Sequence, residues 1–123
     1  MKKLLLAMPI VTVLSACGSQ SVEDVANEYC VAIKKHDWRS AQYLATPDAL
    51  RNREAMYDNY THKYSNVFLS QNCDVTKTDQ NSETEYSVYF GGSKLDSVEI
   101  QWDEEKEQFF VTSDAFKNDL KLY

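Results

Sequence analysis

Glycine occurs three times in this chain (Gly18, Gly91, Gly92) and histidine twice (His36, His62). So little glycine leaves no phosphate-cradling loop and no nucleophile elbow, and the histidines form no metalloprotease motif. Neither C-x-x-C nor H-x-x-H occurs, so the sequence offers no metal-ligand spacing and implies no cofactor. Basic side chains are outnumbered 13 to 19 by acidic ones. That balance removes the positive footprint that nucleic-acid binding requires. Crossing a bilayer takes about 20 consecutive apolar residues, and the run from Leu4 to Leu14 is roughly half that.

What is present at the start of the chain is more telling. Lys2 and Lys3 precede the apolar run, which leads into Leu14-Ser15-Ala16-Cys17. A charged n-region, a short h-region and small residues before a cut site make a secretory signal. The terminal cysteine resembles the lipobox of bacterial lipoproteins. The resemblance implies a signal peptide over residues 1–16, cleavage before Cys17, and acylation of Cys17. Gly18 and Ser19 in place of an adjacent aspartate resemble outer-membrane rather than inner-membrane sorting. A lipidated tether over 17–21 follows, and Gly18 to Ser21 spans on the order of 13–14 Å when extended. The expected address is therefore the bacterial envelope, with the domain held near the headgroups on the periplasmic face.

Cleavage leaves 107 of the 123 residues, enough for one domain over 22–123 and too few for two. Losing Lys2 and Lys3 takes 13 basic side chains to 11 against 19 acidic, a formal charge of −8. A domain that acidic is repelled by anionic headgroups, so the lipid must supply the membrane attachment. Two cysteines then remain, Cys30 and Cys73. In an oxidising compartment they are expected to pair, with free thiols or a metal pair as the alternatives. Closing a loop of roughly 44 residues is worth about 4 kcal/mol in the chain-entropy account.

Along the mature chain, Val22, Val25, Ala26, Tyr29 and Ile33 recur at helical steps and predict a helix over 22–36, with Ser21 as its N-cap. Asp37 caps a short second helix through Ala45 with Trp38, Ala41 and Leu44 inward. Thr46-Pro47 opens a third, which runs to about Tyr64 with Leu50, Arg53, Tyr57, Tyr60 and Tyr64 on its inward stripe. Arg53 is the flaw in that stripe. From about Gln71 the period changes to two, which predicts an antiparallel meander. Its strands are Cys73–Thr76, Thr84–Phe90, Ser97–Trp102 and Gln108–Thr112, with turns at Gly91-Gly92-Ser93 and Asp103–Lys106. A short helix through Phe116 and Leu120 closes the chain. The strands have one apolar face, and only the helices are available to cover it. The expected class is α+β, with N-terminal helices packed on a curved four-stranded sheet, cone-like or cystatin-like.

The segment from Val25 to Ala41 and the order of three helices before a meander resemble small domains of the nuclear transport factor two-like superfamily. That resemblance implies a pocket between helices and sheet, where catalytic members place a buried Asp, His or Tyr for proton transfer. No matching motif transfers such a role to a residue here.

The candidate ligand-binding residues are Tyr57, Tyr60, Tyr86, Asp96 and Trp102. Tyrosine and tryptophan bring large apolar area with a polar tip, which suits a pocket lining and equally a small core; Tyr64 shares the aromatic set. Asp96 alternates onto the face of Val98, Ile100 and Trp102, where burial would raise its pKa; its place at the strand start equally puts it in solvent past the core's edge. His36 at a helix end suits the helix dipole. The functional expectation is a lipid-anchored, non-catalytic module binding an envelope protein or small ligand. The alternatives are an inhibitor or immunity-type lipoprotein that meets a cationic hydrolase through Asp103-Glu104-Glu105 and Glu107, and a small isomerase- or dehydratase-like enzyme.

Overall fold

The computed structural model describes residues 20–91 and 94–117. The signal segment, Cys17 and the tether up to Ser19 lie outside the described residues, as do Gly92-Ser93 of the first turn and Leu120 of the expected terminal helix. Four helices precede four strands: α1 Val22–Lys34, α2 Trp38–Ala41, α3 Pro47–Asn59 and α4 Thr61–Phe68, then β1 Val75–Gln80, β2 Glu85–Phe90, β3 Leu95–Asp103 and β4 Gln108–Phe116. The strands form one open antiparallel sheet in the order β1-β2-β3-β4. This is the α+β class expected from the change of period. No helix among the described residues is long and apolar enough to cross a membrane.

α1 starts where Ser21 Oγ accepts the Asp24 amide at 3.0 Å, with Glu23 and Asp24 in the first turn. It buries Val22, Val25, Ala26, Tyr29, Cys30, Ala32 and Ile33, so one stripe faces the sheet. Asp37 caps α2 by accepting from Ser40 N, and those hydrogen bonds with Ser40 lower its carboxyl pKa. α2 stops at Ala41, short of the expected Ala45. Beyond it, Leu44 O accepts from Val111 N at 2.8 Å and Thr46 N donates to Val111 O at 2.9 Å. The segment therefore gives its backbone groups to the outer edge of β4, which would otherwise stand unpaired.

Thr46 caps α3 and Pro47 occupies its first turn, as the sequence predicts. The helix breaks at Tyr60 (φ −139°, ψ 49°), where Thr61 Oγ1 donates to the Tyr57 carbonyl at 2.8 Å. That break corrects the single long helix. Tyr64 and Phe68 turn fully into the core, while Tyr60 points outward, 36% exposed, and leaves the inward stripe it was placed on.

Gln71 and Cys73 precede the sheet rather than begin it. The buried Gln71 side chain accepts from the Lys94 and Leu95 amides through Oε1 and donates to the Asn72 and Leu95 carbonyls through Nε2. It thus pins the α4–β1 connection to the start of β3. Cys30 and Cys73 form a disulfide (S–S 2.06 Å, Cα–Cα 5.6 Å) that ties α1 to the same connection. Asn27 and Lys34 of α1 donate to the Cys73 and Gln71 carbonyls on either side of it.

Two β-bulges between β3 and β4 set what that part of the sheet buries. Leu95 pairs with Phe116 and Ser97 with Ala115, so Asp96 is the extra residue on β3. Glu99 pairs with Ser113 and Ile100 with Val111, so Thr112 is the extra residue on β4. Each insertion shifts the period-two phase and sends the flanking side chains to the other face. β4 consequently runs through to Phe116, beyond the expected Thr112, and Phe116 is a strand residue rather than part of a helix.

Candidate functional site

The Thr112 bulge turns Asp114 inward, opposite Val98. There its carboxylate meets two side chains from different helices. Tyr29 of α1 donates its hydroxyl to Asp114 Oδ2 at 2.7 Å, and Arg53 Nε of α3 lies 3.3 Å from the same oxygen. The Asp114 side chain is 5% exposed and that of Arg53 14%. The guanidinium also lies over the Phe116 ring, 4.4 Å from its centroid, and Nη1 contacts Met56 Sδ. Arg53 Nε has no directed hydrogen-bond acceptor, so the Asp114 contact is an ion pair of charge on charge. The flaw in the inward stripe of α3 is thus the partner of a buried acid.

Burial pushes the Asp114 pKa up, and the Arg53 charge and the Tyr29 hydroxyl pull it part of the way back. The Tyr29 phenol is pushed far above its ordinary range, first by burial and then by the adjacent carboxylate. Burial likewise raises Tyr64, whose hydroxyl donates to the Ile33 carbonyl at 2.7 Å. Chemically, a phenol that stays protonated and a guanidinium share one carboxylate oxygen across the boundary between helices and sheet. The four surface grooves described below are lined by none of Tyr29, Arg53 and Asp114. The trio joins the two layers; it faces none of these openings.

The candidate residues do not converge on one site. Tyr57 stacks on His36 at 4.4 Å and packs edge-on against Trp38 and Tyr64, and the chain of rings continues through Phe68 to Phe116. Tyr86 and Trp102 belong to a second cluster, both packed against Phe109 at 5.6 and 4.9 Å. Tyr60 is 36% exposed at the break between α3 and α4. Asp96 is put out of phase by its own bulge, and its half-exposed carboxylate lies 3.7 Å from Lys117 Nζ. The edge alternative for Asp96 therefore holds and the buried one does not. Asp114 was not legible in the sequence, because strict alternation puts it on the face away from Val111; only Arg53 hinted that an inward acid was needed.

The grooves are open. One of about 520 Å³ runs along α3 past Leu50, Arg51 and Glu54. Two others flank the half-buried Phe110 on β4. One of about 370 Å³ is walled by Trp102, Glu104 and Glu105, with Trp102 Nε1 donating to Glu104 at 2.7 Å. The other, of about 510 Å³, is walled by Gln20, Glu28, Tyr43 and Lys106, and Lys106 Nζ lies 5.2 Å from the Phe110 ring. A fourth, of about 260 Å³, adjoins it past Val31, Lys35 and Asp37. Among the described residues, no three His, Cys, Asp or Glu side chains are grouped to hold a metal.

Compared with protein-family models, curated proteins and solved structures, the chain finds no match.

Proposed function

We propose that this protein is an exported lipoprotein, acylated at Cys17, whose domain acts as a non-catalytic binding module at the bacterial envelope, with the outer membrane as its address. The observation that carries the reading is the Cys30–Cys73 disulfide. It suits an oxidising compartment and uses both thiols that follow Cys17, leaving the lipobox cysteine as the one for acylation. The trio around Asp114 favours binding over proton transfer, because its carboxylate is already engaged by Arg53 and Tyr29. Open grooves with mixed polar and apolar walls suit a protein surface or a small ligand bound in passing.

Fractionation of cells that express the full chain tests the anchoring. Wild-type protein is expected in the detergent-soluble membrane fraction, and Cys17→Ala in the aqueous one. A Cys17→Ala variant that still pellets with membranes refutes attachment by lipid.

A further inference from the structure

The groove beside Phe110 begins at Gln20, three residues after Cys17. Those three residues reach on the order of 10–11 Å when extended. Gln20 is fixed on the body of the domain by a hydrogen bond from its amide to Glu28 of α1. An acyl chain on Cys17 would enter the bilayer within that distance of this groove, which brings this face of the domain within reach of the lipid.

The face reached in this way carries groups suited to a headgroup layer. Tyr43 is 68% exposed at the turn after α2, and Phe110 stands half-buried beside it with the Lys106 ammonium over its ring. An exposed tyrosine and a lysine stem are amphipathic, with an apolar body and a polar tip that suit the membrane interface. Charge agrees. Lys35 and Lys106 balance Glu28 and Asp37 over this face and the adjoining groove, in a domain whose formal charge after cleavage is −8. Glu104 and Glu105 line the groove on the other side of Phe110. The remainder of the surface carries the acidic excess and is repelled by anionic lipid.

We propose that the face formed by Tyr43, Lys106 and Phe110 docks onto the headgroup layer of the membrane that holds the Cys17 lipid. The domain is then oriented, with the opposite end of the sheet, where β1 starts beside Phe90, turned away. β1 lies three strands from β4, about 14 Å across the sheet. The inference rests on acylation of Cys17, and the test separates the two.

The mature domain, coupled through the Cys17 thiol to maleimide-headgroup lipid, is placed on phosphatidylethanolamine–phosphatidylglycerol vesicles or nanodiscs doped with a nitroxide-headgroup lipid. Backbone amide signals are then compared. Those of Tyr43, Lys106 and Phe110 should broaden several-fold more than those of the exposed Asp74 and Thr76 at the far end of β1, and Tyr43→Ser should bring the two sets toward equality. Uniform broadening, or stronger broadening of Asp74 and Thr76, overturns the docking face even where Cys17 is acylated in cells. An unchanged bias in Tyr43→Ser contradicts the aromatic contact. Concentration-dependent broadening of the same amides without lipid assigns the face to a second copy instead. An unmodified Cys17 in protein from cells overturns the reading beneath it, whatever the orientation.

Discussion

Asp96 and Asp114 lie on neighbouring antiparallel strands, one at a bulge and one two residues past a bulge, each paired with one cation, yet the two regions are physically opposite. Asp96 and Lys117 are both nearly half exposed and 3.7 Å apart, so water screens the pair. Asp114 and Arg53 are closed in by helices and sheet, where an ion loses its hydration and the loss has to be offset by fixed partners. What separates them is the phase of the backbone. The bulge at Asp96 takes that carboxylate out of register with Val98 and Ile100, and the bulge at Thr112 brings Asp114 into it. A single inserted residue thus decides whether an aspartate is a surface charge or a core constituent.

The largest effect separating the two regions should follow from Asp114→Ala, which strands the Arg53 charge in the interior. A loss of about 3–5 kcal/mol in urea unfolding is expected, as for a buried pair broken from one side. A loss under about 1 kcal/mol would place the pair in effective contact with water. Next comes pH. Because burial holds the Asp114 pKa above its ordinary 3.8, the folded state keeps a proton that the unfolded chain has released in the window between the two values. Stability then falls as pH rises through that window and levels off above it. Arg53 pulls that pKa down, so Arg53→Met should raise it further and widen the window. The stability deficit of Arg53→Met relative to wild type is expected to be larger near pH 7.5 than near pH 4, about the ordinary carboxylate value. Equal deficits would mean that Asp114 does not titrate against Arg53. Smallest of all, Asp96→Ala should cost less than about 1 kcal/mol, with a loss that shrinks further in salt.

The same contrast shows which features were legible in the sequence. Helix starts were, because Ser21 and Thr46-Pro47 are local chemistry acting within three residues. The apolar face of β3 was, since the second extra residue sits on β4 and leaves Val98 and Ile100 in phase with each other. The pairing of Cys30 with Cys73 was expected from the cysteine count and the compartment that the leader implies. What failed depended on distant partners. Leu44–Thr46 left helical geometry to bond Val111, some 65 residues along the chain. Tyr60 left the inward stripe because α3 broke there, and the aromatic set divided between Phe109 at one part of the sheet and Phe116 at another. Arg53 was the readable clue to the buried trio. A cation on an inward stripe requires an acid, but its partner was hidden by a bulge that no local signal announces.

The functional account has its most direct test in the chemistry of the three cysteines. Protein purified from cells expressing the full chain, alkylated without reduction and weighed intact, should begin at Cys17, carry acyl chains there, and take up no alkyl group at Cys30 or Cys73. A chain that retains residues 1–16 with an unmodified Cys17, or one alkylated at Cys30 and Cys73, would contradict it.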